Sequence, residues 1–330
     1  MRKDAQVSMI TWFRDIRHAI RWRKDRYSPI IREVRRSTWA QLRVEWRWHS
    51  NPRRRPHRLP ANLVVSLTSY PSRFDTLSHT LRSLLCQTIK ADHTILWITH
   101  SEMPLLPKNI TALQAAGLEI RAADNIKSYN KIFPALDAFP DAFICTADDD
   151  LYYWPTWLEE LVEGAQATDR IVTCHNGHEI AFDSYGGFKP YAQWRFNVRQ
   201  RGELNRIFPT GGSGILYPPG ILAHTAEDRE AAINLCPRGD DIWLYWIGQR
   251  NGAIYKLVGR WREFVAWRGS QTNALWHSNI LQGGNDDQIR KMMARYGYPH
   301  RRVENAGADE AQTMGSARSQ ADDSHRQVTS

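Results

Sequence analysis

The chain has only four cysteines in 330 residues and no CxxC pair. Cys86, Cys145, Cys174 and Cys236 are far apart, and three of them sit in strongly apolar or helical-looking surroundings. A disulfide framework and a Cys-ligated zinc site are thereby excluded, and a reducing compartment is the expected home. Long hydrophobic runs are also missing. The one long uncharged stretch, Ile207 to Ala226, is broken by Gly211, Gly212, Gly214, Pro218, Pro219 and Gly220. It reads as a loop, since a bilayer helix needs about 20 apolar residues. No apolar segment of about 7–15 residues follows the basic first residues, so no secretory leader is expected. Internal repeats are absent too.

Acidic residues are scarce at one end only. Residues 1–60 hold 17 Lys/Arg against 5 Asp/Glu, a net +12. The other 270 residues hold 27 against 30, a net −3. The basic character therefore belongs to an N-terminal arm, and a body that grips nucleic acid along its surface is not expected. Within the arm, residues 8–27 show helical periodicity: Met9, Trp12, Phe13, Ile16 and Ile20 share one face, away from Arg14, Arg17, Arg21 and Lys24. Trp39, Trp46 and Trp48 follow among many arginines. Trp with Arg suits a membrane–water interface, where the ring sits at headgroup depth and the cation meets anionic lipid. Plain packing of an apolar helix face on the body explains the periodicity equally well.

From residue 61 the pattern is alternating strand and helix. Leu63–Thr68, Thr94–Ile98, Leu118–Arg121 and Ala142–Thr146 read as strands. Helices are expected at 74–88, 109–116 and 128–138, the last with Ser128 as N-cap. This alternation predicts an α/β fold with a mostly parallel central sheet flanked by helices. Pro155 is expected as the first residue of a helix that Gly164 stops. The second half is less regular. It has a strand at 170–174, a Gly/Pro loop at 209–220, a helix near 240–250, a strand at 254–258 and a helix at 286–296. The division expected is a basic arm at 1–60, a catalytic domain at 61–303 and a disordered polar tail at 304–330.

Chemistry gathers at two acidic clusters. Asp148, Asp149 and Asp150 stand directly behind the apolar strand. Adjacent carboxylates repel one another and are costly at a buried strand end unless something positive sits among them. A divalent cation would serve, since hard cations take carboxylate oxygens. In open α/β sheets ligands bind beyond the carboxyl ends of strands, where these acids are. The bland alternative is an acidic turn ahead of a helix. The second cluster, Asp240-Asp241, opens a helix. N-capping would need one acid, whereas a general base for an acceptor hydroxyl suits an Asp poised there. The third feature, Pro209-Thr210-Gly211-Gly212-Ser213-Gly214, lets backbone N–H groups approach a sugar or phosphate, or is a flexible connector. It has no Lys after the glycines, so it is not a Walker A loop.

These pieces occur in an order that resembles bacterial GT-A fold glycosyltransferases, close to glycosyltransferase family 2. Val64-Val65-Ser66-Leu67-Thr68-Ser69-Tyr70-Pro71 resembles the nucleotide-binding first strand and turn. Leu81-Arg82-Ser83-Leu84-Leu85-Cys86-Gln87-Thr88 resembles the following helix. Thr146-Ala147-Asp148-Asp149-Asp150 with Trp157-Leu158-Glu159-Glu160-Leu161 resembles the DxD segment and its helix, and Gly239-Asp240-Asp241 the acceptor-base motif. The resemblance covers about three quarters of the chain.

It implies a metal-dependent, inverting, hexosyltransferase-like enzyme. A sugar would pass from a nucleoside-diphosphate-sugar donor to a glycan or lipid-linked acceptor in surface polysaccharide biosynthesis. Asp241 would be the base, with Asp240 beside it. Asp148 and Asp150 would hold Mn²⁺ or Mg²⁺, with His277 as third ligand. Thr68, Ser69, Arg73, Lys131, Asp148 and Asp149 would meet the donor. Lys127 is a further cation before the acids. Trp154, Trp194 and Trp243 either stack on acceptor sugars or pack in the core. The implied setting is cytoplasmic, peripheral on the inner face of the plasma membrane through residues 1–60, with no nucleic-acid partner. Two alternatives stay open: a DxD-type phosphoryl transferase or hydrolase with an aspartyl nucleophile, and a non-catalytic sugar-binding or scaffold protein.

Overall fold

The computed structural model describes residues 31–165, 170–204, 206–270 and 284–299. The periodic segment at 8–27, His277 and the tail after Val303 lie outside the described residues.

Residues 31–50 form helix α1. The sheet begins with β1 (Leu63–Thr68), followed by α2 (Phe74–Leu85), β2 (His93–Thr99), β3 (Leu118–Ala123), α3 (Phe133–Ala138) and β4 (Phe143–Thr146). Helix α4 (Trp157–Gly164) then leads to β5 (Ile171–Cys174), β6 (Gly202–Glu203), β7 (Ile215–Tyr217), α5 (Ala226–Leu235), α6 (Asp240–Arg250), β8 (Ile254–Leu257) and α7 (Gly284–Tyr296). The eight strands make one sheet in the order β3-β2-β1-β4-β7-β5-β8-β6.

Helices cover both faces of this sheet because its strands alternate between two cores. Val64, Ile95, Ile144 and Ile215 enter one core, with Trp243 and Ile247 of α6 and Ile289 and Met292 of α7. Their neighbours Leu63, Val65, Leu96, Cys145 and Leu216 enter the other, with Leu77, Leu81 and Leu84 of α2. A strand buried on both faces reads as a continuous apolar run, which is why β1 and β4 are visible in the sequence. Helix α1 belongs to the second core through Ala40 and Val44. Gln87 fastens α2 to α4: its amide donates to the Ser83 and Trp154 carbonyls and accepts the Leu158 N–H. Among the described residues no helix is long and apolar enough to cross a membrane.

Three local expectations change. The mostly parallel sheet contains an antiparallel insertion: β3, β2, β1 and β4 are parallel and so are β5 and β8, but β7 is antiparallel to both β4 and β5. Strand β7 lies inside the segment read as a Gly/Pro loop, where a three-residue strand between glycines and prolines carries no periodicity. Ser128 does not cap α3. It lies in a 3₁₀ turn, Lys127–Lys131, and α3 starts at Phe133 with a proline in its first turn. Pro155 precedes α4, whose N-cap is Thr156, and Gly164 is the last helical residue rather than the stop. The stretch Trp154 to Trp157 closes a turn first, with the Trp157 N–H donating to the Trp154 carbonyl.

The antiparallel insertion of β7 sets up the site. Ile215 is paired with Thr146, so the residues before β7 meet the residues after β4. The first are Gly211 to Gly214 and the second are the three aspartates.

Candidate active site

Each aspartate of the triplet has a different partner. Asp148 Oδ1 pairs with Lys131 Nζ at 2.9 Å. Asp149 Oδ2 accepts the Ser69 hydroxyl at 2.5 Å. Asp150 Oδ2 pairs with Arg73 Nη1 at 2.8 Å. Ser69 and Arg73 both come from the turn that follows β1, the strand beside β4, so parallel pairing alone places them there. Burial pushes the Asp149 carboxyl up to about 7, with Asp150 adding to it and Ser69 and Arg73 opposing it.

The segment 265–270 closes over the triplet. Trp267 N–H donates to the Asp150 carbonyl, Val265 O accepts from Tyr152 N–H, and Arg73 donates to the Ser270 carbonyl. Thr80 donates to the Asp149 carbonyl and receives the Trp267 indole N–H. The backbone behind the acids is therefore held from both sides.

Asp240 and Asp241 occupy the first turn of α6. Asp240 Oδ2 lies 2.9 Å from Lys131 Nζ. Both oxygens of Asp241 accept the Gly211 N–H, each at 3.0 Å. Burial first, then the charge of Asp240, pushes Asp241 up to about 7, while Lys131 and the Gly211 N–H oppose the rise. Lys131 is held well above its ordinary value: desolvation acts against its charge, but Asp148, Asp240 and Asp241 outweigh it. One ammonium thus joins two acidic clusters 92 residues apart in the chain (148 against 240). Its own backbone is anchored, since the Lys131 carbonyl accepts the Ser66 hydroxyl of β1 at 2.7 Å and that hydroxyl accepts the Trp97 indole N–H.

The glycines fill the space between the clusters. A Cβ on Gly211 would lie 2.5 Å from Asp241 Oδ1 and 3.2 Å from Lys131 Nζ. A Cβ on Gly212 would lie 2.9 Å from Asp148 Oδ2. The loop is packed between carboxylates rather than loose, and its close approach is to protein side chains, with the Gly211 N–H already engaged by Asp241. Tyr153 completes the junction: its hydroxyl accepts the Asp148 N–H at 2.7 Å and donates to the Gly212 carbonyl at 3.0 Å. The sequence reading missed Tyr153. An aromatic three residues after the acids gave no periodic signal.

Asp148 and Asp150 are each engaged by a separate buried protein cation, and Asp148 Oδ2 faces Gly212. Among the described residues no three His, Cys, Asp or Glu side chains converge as a cation site. His277, the third ligand the resemblance implied, lies outside the described residues. The charge problem posed by adjacent aspartates is met instead by Lys131, Arg73 and the Ser69 hydroxyl.

Other expected residues divide. Thr68 sits at the end of β1 and donates to the Trp97 carbonyl at 2.9 Å. Lys127 is exposed at a positive φ of 58°. Trp154, Trp194 and Trp243 are core side chains, each with its indole N–H satisfied: by Glu160, by the Lys189 carbonyl and by the Asp228 carbonyl. Stacking on an acceptor sugar is excluded for these three by their burial.

No protein-family model and no curated protein matches the chain. Among solved structures, the chain is similar to S. aureus TarS 1-349 in complex with UDP, with 12% identity, a TM-score of 0.45, and coverage of 70% of this chain and 65% of that one. The complex of S. aureus TarS 1-349 with UDP-GlcNAc gives 11% identity and a TM-score of 0.47, over 70% of this chain and 66% of that one. S. aureus TarS 1-349 alone gives 12% and 0.42, over 77% and 78%. The chain therefore spans just under two thirds of the TarS fragment in its two ligand-bound structures.

Proposed function

We propose that the chain is an inverting glycosyltransferase of the GT-A type that uses a nucleoside-diphosphate-sugar donor. The observation that carries this reading is the meeting of two acidic clusters at the carboxyl edge of the parallel strands, joined through Lys131 and separated by Gly211 and Gly212. One cluster follows a strand, where nucleotides bind in open α/β sheets. The other opens a helix and contains a carboxyl poised near neutrality, as a general base requires.

In this reading Thr68, Ser69 and Arg73, at and after the end of β1, meet the nucleotide. Asp241 accepts the proton of the acceptor hydroxyl. The acceptor oxygen forms its bond to the anomeric carbon as the bond from that carbon to the diphosphate oxygen breaks, and the nucleoside diphosphate leaves. Asp240, already paired with Lys131, raises the basicity of Asp241. A glycan or lipid-linked acceptor, surface polysaccharide biosynthesis and a place at the inner face of a membrane belong to the same reading.

The test is thermal melting of the full chain with UDP-, GDP- and dTDP-sugars, followed by an assay for release of the nucleoside diphosphate. A ligand that binds only the native state stabilises it by about 2.7 kcal/mol at a hundred times its Kd. A rise in Tm with one nucleotide class, and release that depends on a carbohydrate acceptor, are expected. No rise with any donor overturns the reading. Trapping of a phosphoenzyme by fluoroberyllate would replace it with the aspartyl phosphoryl-transfer alternative.

A further inference from the structure

Helix α1 has two faces of opposite chemistry, and among the described residues only one packs on the body. The inner face carries Ser37, Ala40 and Val44, all buried. It is fastened by charge and by backbone contacts. Glu45 takes both of its oxygens to Arg82 at 2.6 and 2.7 Å, Arg47 donates to the Cys86 carbonyl, Arg36 donates to the Glu263 carbonyl, and the Ser37 hydroxyl accepts the Arg268 N–H. The helix is therefore a fixed part of the body.

The outer face carries Trp39, Leu42 and Trp46, which are 54%, 65% and 72% exposed. Large apolar side chains at i, i+3 and i+7 form one stripe, and surfaces that stay in water rarely show such stripes. At about 100° per residue, Arg32, Arg35 and Arg43 fall within about 40° of Trp39, whereas Arg36, already paired with Glu263, lies at about 60° and Glu33 and Glu45 about 120° away on either side. All three arginines are exposed, and the Arg43 guanidinium stands 4.4 Å over the Trp39 ring. The stripe thus combines three apolar anchors with three cations and no acid.

We propose that this outer face of α1 docks on an anionic lipid surface. Indole rings settle at headgroup depth and guanidinium groups reach lipid phosphates, so the spacing matches both partners at once. A second copy of the chain fits less well. A two-fold contact through this face would set arginine against arginine with no acid to answer it. The inference names residues for the membrane setting of the proposed transferase, but it rests on the geometry of α1 and not on the sugar chemistry.

The test uses the full chain with vesicles of phosphatidylcholine alone and of phosphatidylcholine with phosphatidylglycerol. Cosedimentation is expected with the anionic vesicles and to fall as salt is raised. The variant Trp39→Ser/Leu42→Ser/Trp46→Ser should bind at least about ten-fold more weakly at unchanged Tm, because its sites are exposed. The variant Arg32→Gln/Arg35→Gln/Arg43→Gln should lose the preference for anionic over neutral vesicles. Wild-type binding by the apolar triple variant, or no vesicle binding by the unmodified chain, would overturn the proposal. So would a dimer in sedimentation velocity that the apolar triple variant dissociates, or a fall in Tm in that variant, which would mark the face as covered by the protein itself. None of these outcomes depends on nucleotide binding, so failure here is distinguishable from failure of the transferase reading.

Discussion

The two acidic clusters solve the same electrostatic problem in different ways. In the triplet, every aspartate has its own partner: Lys131, Ser69 and Arg73. In the pair, Asp240 has a share of Lys131 and Asp241 has a backbone N–H. Each cluster holds one carboxyl raised to about 7, Asp149 in the triplet and Asp241 in the pair. Asp149 is tied to the Ser69 hydroxyl, whereas Asp241, among the described residues, accepts only a backbone N–H from the glycine loop, so the raised proton affinity of Asp241 is a chemical capability as much as a cost. A buried carboxylate that is nearly but not fully compensated is what a general base at neutral pH needs.

Replacing the reactive member of the pair gives the largest expected effect. Asp241→Asn should lower kcat by about 10²- to 10⁴-fold, the range for loss of a positioned base. It should do so without lowering Tm, since it removes a half-buried charge and keeps an acceptor for Gly211. In the unmodified enzyme kcat/KM should rise as pH increases through about 7, where Asp241 loses its proton. Retained turnover in Asp241→Asn, with loss in Asp240→Asn, would exchange the two roles.

Breaking the join between the clusters comes next. Lys131→Met leaves Asp148 and Asp240 without their shared cation, and removing one partner from a buried ionic group costs about 3–5 kcal/mol. The double variant Lys131→Met/Asp240→Asn should recover part of the loss in urea denaturation. No recovery would show that Lys131 acts mainly through Asp148. Filling the gap between the clusters is milder. Gly212→Ala places a methyl 2.9 Å from Asp148 Oδ2, and overpacking of this kind costs about 1–3 kcal/mol. If Gly212→Ala melts like the parent, the loop yields easily and close approach is not the reason for its glycine.

The same contrast explains what the sequence reveals. The parallel half is legible where its strands are buried on both faces and appear as largely apolar runs, as in Leu63 to Leu67. Helix α6 is legible over its full length, Asp240–Arg250, because acids open it and a glycine precedes it. In the second half β5 and β8 are legible too, at Ile171–Cys174 and Ile254–Leu257, but the antiparallel β7 is not. Strand β7 is three residues long, and its place between β4 and β5 depends on pairings that no local pattern encodes. The acids themselves are visible, but their partners are not. Lys131 reads as one basic residue near a helix start, and only the fold brings it to Asp148 and Asp240. The three tryptophans fail for a related reason, since an indole suits a sugar and a core equally until its burial is known.

The smallest effect is also the sharpest probe of the triplet, because it has a predicted sign. The folded protein holds the Asp149 proton up to about pH 7, whereas the ordinary value is 3.8. Between these values the folded state binds more protons than the unfolded chain, so stability falls as pH rises through the window. The loss is complete above about 7 and absent below about 4. Its ceiling is about 4 kcal/mol, and relaxation around the buried group makes the realised value smaller. Asp149→Asn removes the titration and keeps an oxygen to accept the Ser69 hydroxyl. The variant should therefore be more stable than the parent at pH 8, by about 1–2 kcal/mol, and equal to it near pH 4. Denaturant unfolding at the two pH values would measure both. A variant less stable than its parent at pH 8 would mean that Arg73 draws more from Asp149 than burial takes away, and that the triplet, like the pair, is held together by charge.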